Sequence, residues 1–147
     1  MFSGFNLIAG NTENLFYLSN ITNHIERLNP GFYGISNAFL NTPWPKVNTA
    51  KKKFKSIISA DKIDEEAVFN LLQNGKKYPE HLLPETGLTP EMEKAVSSIF
   101  IKTENYGTRC STLLMINNLD KVTFIERTYP TGKRDSEIEK RFEFEIE

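Results

Sequence analysis

The chain has 147 residues, 39% of them hydrophobic and 12% aromatic, which suffices for one domain with a real core. Charged residues make up 25%, and 18 lysines and arginines nearly cancel 19 aspartates and glutamates, which excludes the disordered class and the basic excess of a nucleic-acid binder. One cysteine and two histidines exclude an internal disulfide and a multi-cysteine or His-rich metal site, so no metal is expected and a reducing compartment, the cytoplasm, is.

No apolar run is long enough to span a bilayer, and Met1-Phe2-Ser3-Gly4-Phe5-Asn6 holds no basic n-region, so no signal peptide is expected. Gly4 to Ala9 reads as a short apolar strand. Gly10-Asn11-Thr12-Glu13-Asn14 is dense in turn formers, and Leu15 to Leu18 follows as the partner strand. His24 to Leu28 reads as another strand; Asn29-Pro30-Gly31 turns the chain, and Phe32 to Ser36 continues it as strand.

The middle is helical. Val47, Ala50, Phe54, Ile57 and Ile58 share one helix face, with Lys46, Lys51, Lys52, Lys53 and Lys55 mostly on the wet faces. Asp64 is a good N-cap for a second helix, with Glu65 and Glu66 in its first turn, Ala67, Val68, Leu71 and Leu72 as its stripe, and Asn74-Gly75 as its stop. Tyr78 to Gly87 holds two prolines and reads as loop. Thr89-Pro90-Glu91 opens a third helix. Ser98 to Ile101 reads as strand, Arg109 to Asn117 and Val122 to Thr128 as a hairpin around Asn118 to Lys121. The last segment alternates: Phe142, Phe144 and Ile146 against Glu143, Glu145 and Glu147, the pattern of a half-buried strand. Strands at both ends and helices between predict a layered α+β fold with antiparallel sheets, as a single domain over residues 1–147.

No glycine loop for phosphate, H-E-x-x-H or G-x-S-x-G motif is present. Cys110 is expected as a small buried hydrophobe in a core strand. His24 and His81 are expected at the surface or satisfied by neighbours. Two stretches place small and polar residues at strand ends: Tyr33-Gly34-Ile35-Ser36-Asn37 with Asn41-Thr42-Pro43-Trp44-Pro45-Lys46, and Tyr106-Gly107-Thr108-Arg109-Cys110-Ser111-Thr112. From composition alone, Asn37 is a turn cap, Arg109 a carboxylate's partner and Trp44 a packing corner between prolines. The same groups suit chemistry: the Asn37 carboxamide is a good donor to a developing oxyanion, and the Arg109 fork fits a carboxylate or an active-site clamp.

These stretches occur in order with Gly4-Phe5-Asn6-Leu7, Tyr17-Leu18-Ser19-Asn20, Pro30-Gly31, Leu83-Pro84, Ser97-Ser98-Ile99-Phe100-Ile101 and Glu126-Arg127-Thr128. The series resembles the NRDE family, also called the transport-and-Golgi-organisation protein 2 family, over nearly the whole chain. The resemblance implies a fold like that of N-terminal-nucleophile hydrolases, an αββα sandwich of antiparallel sheets, and attack on an amide or acyl bond. Family members begin Met-Cys, and an Asn-Arg-Asp-Glu motif follows; this sequence has neither. It is therefore expected to correspond to the later part of the family's domain, truncated at its start and inactive in hydrolysis. Tyr33 to Asn37 is similar to the strand-end motif where related cysteine amidohydrolases place an oxyanion-hole asparagine, and Arg109 resembles their active-site arginine. Asn20, Ser36, Trp44, Tyr106, Thr108 and Ser111, in or beside the same segments, are expected to line the ligand cleft. The expected partner is a small amide or acyl ligand, with no cofactor, nucleic acid or membrane span. The alternative is a non-catalytic protein that binds or traffics haem or an acyl lipid.

Overall fold

Gly10 ends the first strand where no side chain fits: an added Cβ would lie 1.9 Å from the Asn14 carbonyl oxygen. Asn11 closes the same turn, its side-chain oxygen accepting from the backbone N–H groups of Glu13 and Asn14 at 3.1 and 2.8 Å. The chain thereby folds back on itself, and the computed structural model shows strands β1 (Asn6–Gly10), β2 (Leu15–Ser19) and β3 (His24–Leu28) as an antiparallel meander in that order. Residues 4–85, 87–130 and 137–146 are described; the opening Met1-Phe2-Ser3 and the final Glu147 of the alternating segment lie outside them. The chain divides into two units, Met1–Thr42 and Pro43–Glu147.

In the first unit one sheet face is covered by the unit's own loop. Tyr17 is buried there; its hydroxyl donates to the Asn6 side-chain oxygen at 2.6 Å and accepts from the Leu40 N–H at 3.2 Å. The Asn6 amide donates in turn to the Ala38 carbonyl at 2.7 Å. Phe32 to Ser36 was expected as strand and is not one. Its polar groups find partners locally: Asn41, at a positive φ of 58°, accepts from the Gly34 N–H with its side chain and donates its own N–H to the Gly34 carbonyl. A loop that satisfies its own backbone has no need of a ladder. On the other face, Leu7 pairs with Leu18 and Leu18 with Ile25, and Leu7 and Ile25 are exposed.

The second unit holds α1 (Pro45–Ile58), α2 (Glu65–Leu72), a 3-10 turn at Glu80–Leu82, α3 (Pro90–Ala95) and a second antiparallel sheet of β4 (Cys110–Ile116), β5 (Lys121–Thr128) and β6 (Ile138–Glu145). The caps expected from sequence form: Asp64 accepts from the Ala67 N–H at 3.0 Å, and Thr89 from the Met92 N–H at 3.4 Å. The core is Val68, Phe69, Leu113 and Ile125, with Ile57, Leu72 and Met115 packed against it. Ser98 to Ile101, expected as strand, is not one: residues 98–100 form a bend. Phe100 is buried edge-on against Tyr129 with ring centres 4.9 Å apart, and its N–H donates to the Asn74 carbonyl rather than to a neighbouring strand.

The register decides which face of the second sheet is covered. Leu113 pairs with Ile125 and Ser111 with Arg127, while Arg127 also pairs with Glu139 and Ile125 with Arg141. This is the face beneath α2, so the charged side of β6 is the one turned toward the helix. Phe142 and Phe144 stand on the opposite face with Leu114, Ile116, Val122 and Phe124, and each of the two is 54% exposed. The half-buried strand expected at the C-terminus is therefore corrected: every residue of β6 is exposed, its aromatic side on the open face and its charged side meeting α2 through the ion pair of Arg141 with Glu65. Cys110 is corrected too. It shares that open face and is exposed rather than a core hydrophobe.

Candidate functional site

The expected site residues fall in four places. Asn20, Ser36 and Asn37 belong to the first unit. The Asn20 side-chain oxygen accepts from the Phe5 N–H at 2.7 Å and ties the start of β1 to the end of β2. Asn37 is exposed, and the Ser36 hydroxyl lies 3.0 Å from its side-chain oxygen. That contact orients the carboxamide by its oxygen and leaves the NH2 end without a partner among the described residues. A carboxamide held by its acceptor end and free at its donor end has the polarity an oxyanion donor needs.

Trp44 is the N-cap of α1, with Pro45 at the first helical position. It lines a crevice with Leu83, Pro84 and Ser97, segments on which the resemblance rests, and the space there is about 20 Å³, room for one water. Beside it stands Lys46, expected on a wet helix face and found 8% exposed. Its ammonium donates to the Val96 carbonyl at the end of α3, at 3.0 Å, and lies 5.5 Å from the Trp44 ring centre. Burial pushes its pKa down, while the nearby Glu93 pulls it up. The contact is a C-terminal helix cap delivered from another element.

Tyr106, Thr108 and Arg109 come together. They line one cleft of about 310 Å³ with Ile101, Lys102 and Tyr129. Its frame is rigid: the Thr108 hydroxyl oxygen accepts from the Ile101 N–H and the Thr108 N–H donates to the Ile101 carbonyl, both at 2.9 Å. At the base, the Tyr129 N–H donates to the Arg109 carbonyl at 2.7 Å, extending the β4–β5 ladder by one pair. Tyr129 is itself buried, its hydroxyl accepting from Gln73 at 3.1 Å. Tyr106 is 63% exposed. Arg109 is exposed, and its guanidinium has no hydrogen-bond or ion-pair partner among the described residues. Ser111 is buried on the α2 side of the sheet, opposite Arg127, and does not line this cleft.

The other sheet arginines behave differently. Arg127 is bidentate to Glu66 at 2.6 and 3.0 Å, bonds Glu139 at 2.7 Å and lies 4.0 Å over the Phe69 ring. Arg141 is bidentate to Glu65 and bonds Glu143. Arg109 alone among these three stands at a cleft with its fork unengaged. Lys102 was not anticipated as a site residue. It reaches the cleft through its isolated bridge to Gly107, and only the closed hairpin, absent from any linear spacing, reveals that.

The comparisons bear on this arrangement. The family model for Transport and Golgi organisation 2 matches residues 1–131. The chain belongs to this family. It is 30% identical to the Transport and Golgi organization protein 2 homolog of Bos taurus, and 26% identical to the corresponding homologs of Mus musculus and Homo sapiens. Each match covers 87% of this chain and 51% of the relative, so the chain spans about half the length of the curated relatives it matches. The family match takes in the Asn37 loop and the 101–109 cleft alike. Among the described residues no helix is long and apolar enough to cross a membrane, and no group of three metal-ligating side chains forms.

Proposed function

We propose that this chain is a small-molecule-binding member of the Transport and Golgi organisation 2 family, built on the plan of N-terminal-nucleophile hydrolases and binding an amide or acyl ligand without turning it over. The observation that carries the reading is Arg109, an unpartnered guanidinium on a preorganised cleft. In this reading Arg109 anchors and orients the ligand. The αββα layering is part of the proposal. What supports it is that both sheets are antiparallel and that helix α2 packs its apolar residues on the second of them. A cytoplasmic setting is also part of it, favoured by the exposed thiol of Cys110.

No residue of this chain is assigned the nucleophile's role. The purified 147-residue chain is therefore expected to release no fluorophore from an octanoyl-aminomethylcoumarin amide above the buffer rate. Steady turnover that disappears in Asn37→Ala would replace binding with catalysis as the function.

A second reading, an acyl-lipid binder, draws support from the open face of Leu114, Phe142 and Phe144. Its haem variant finds less: His24 and His81 are both exposed, and neither lines the crevice at Trp44 or the cleft at Arg109.

A further inference from the structure

We propose that the cleft of residues 101–109 is an anion site, in which Lys102 and Arg109 hold a carboxylate or phosphate group and Tyr106 covers the apolar portion of the same ligand. The inference rests on the reading of Arg109 as a ligand-facing residue and adds the chemical class of what it faces.

Charge makes the first argument. Lys102 and Arg109 both line the cleft, and Glu104 is the acidic side chain among its lining residues. Neither cation has a carboxylate partner among the described residues, in a chain with 19 acidic side chains to offer. Arg127 and Arg141 show what this chain does with arginines that serve its own structure: both are bidentate to a glutamate of α2. A guanidinium in solvent at the wall of a cleft presents its fork to an incoming oxyanion, and carboxylate and phosphate match that fork in two parallel hydrogen bonds.

Preorganisation makes the second. Lys102 sits on a hairpin closed by the Thr108–Ile101 pair and by the Thr103–Tyr106 pair, where the Thr103 N–H donates to the Tyr106 carbonyl at 2.9 Å, and Arg109 follows that hairpin directly, its carbonyl held by the Tyr129 N–H. Gly107 permits that closure: a Cβ there would come within 3.0 Å of the Ile101 carbonyl oxygen. The backbone under both cations is thus fixed before any ligand arrives, so binding orders two side chains rather than a loop. Tyr106 supplies an exposed ring at the same cleft, a rigid amphipathic surface suited to the part of the ligand next to its charged head.

The test is calorimetric titration of the intact 147-residue chain with hexanoate, hexyl phosphate, inorganic phosphate and hexylammonium. Saturable binding of at least one hexyl anion, with none for hexylammonium, is expected. Arg109→Gln should weaken it at least ten-fold and Lys102→Gln several-fold, and both variants should melt at the wild-type temperature because both side chains are exposed. The tighter of the two hexyl anions assigns carboxylate or phosphate. Inorganic phosphate binding as tightly as hexyl phosphate would overturn the part given to Tyr106. Hexylammonium binding as well as the anions, or anion binding unchanged in Arg109→Gln, would overturn the site. The coumarin-amide assay reads turnover and this titration reads occupancy, so either reading can fail without the other.

Discussion

Phe69→Ala should destabilise the second unit by about 3–5 kcal/mol, the range for emptying a buried aromatic position. Phe69 is 1% exposed and belongs to the four-residue core with Val68, Leu113 and Ile125. It is held from two sides, by the sheet residues Leu113 and Ile125 and by the Arg127 guanidinium stacked over its ring. Neither can collapse into the space, because Leu113 and Ile125 are fixed in register by the β4–β5 ladder and Arg127 by its carboxylates. The loss is a large share of a typical domain's total of roughly 5–15 kcal/mol. Urea denaturation followed by circular dichroism measures it. Phe54→Ala on α1 is the matched control: Phe54 is exposed, and its truncation should change stability by less than about 1 kcal/mol.

Arg127→Ala should cost on the order of 3 kcal/mol, by a different route. The Arg127 side chain is 12% exposed and is shared by Glu66, Glu139 and, at 3.6 Å, Glu137. Removing it strips α2 of its bidentate tie to the sheet, uncovers the Phe69 ring and leaves three carboxylates near one another. Because Arg127 and Phe69 touch, the double substitution should fall short of the sum of the two. The network also sets a pH dependence. The hydrogen bond and charge of Arg127 hold the Glu66 carboxyl below its ordinary value of 4.5, against a smaller effect of burial. Arg141 and Lys121 hold Glu143 down in the same way. A carboxyl depressed in the folded state contributes fully above its unfolded value and loses that contribution as the pH falls through its folded value. Stability should therefore drop below about pH 4.5, and the drop should be shallower in Arg127→Ala, which no longer has the Glu66 part to lose. Both glutamates are largely solvent-exposed, so Arg127's packing and its shared carboxylates carry most of the effect at neutral pH.

Local signals in the sequence were strong where one segment settles its own conformation. The Asp64 and Thr89 caps, the Asn11 turn and the β4–β5 hairpin, where Asn117 accepts from Leu119 and Lys121 across the turn, all follow from a few adjacent residues. What could not be read were choices made by partners far along the chain. Lys46 looks solvated on its own helix, and only the α3 carbonyl 50 residues later makes its burial tolerable. The alternation of β6 is plain, yet which of its sides turns toward α2 depends on Glu65 and Glu66 reaching Arg141 and Arg127. Phe32 to Ser36 carries strand-forming residues, but the bracket from Asn41 uses up the Gly34 backbone. The site shows the same division. Asn37, Tyr106, Thr108 and Arg109 were singled out by residue type and by resemblance. Lys102 needed the hairpin to be closed before it could be seen beside Arg109.

The cleft at Arg109 is the proposed place of ligand binding. The most direct measurement is amide-resolved NMR of the 147-residue chain titrated with N-octanoylglycine, which carries an acyl chain, an amide and a carboxylate. Saturating shifts concentrated at residues 101–109 and Tyr129, lost in Arg109→Gln, are expected. Shifts confined to the open sheet face at Leu114, Phe142 and Phe144, and unchanged by that substitution, would contradict this proposal and favour the lipid-binding face instead.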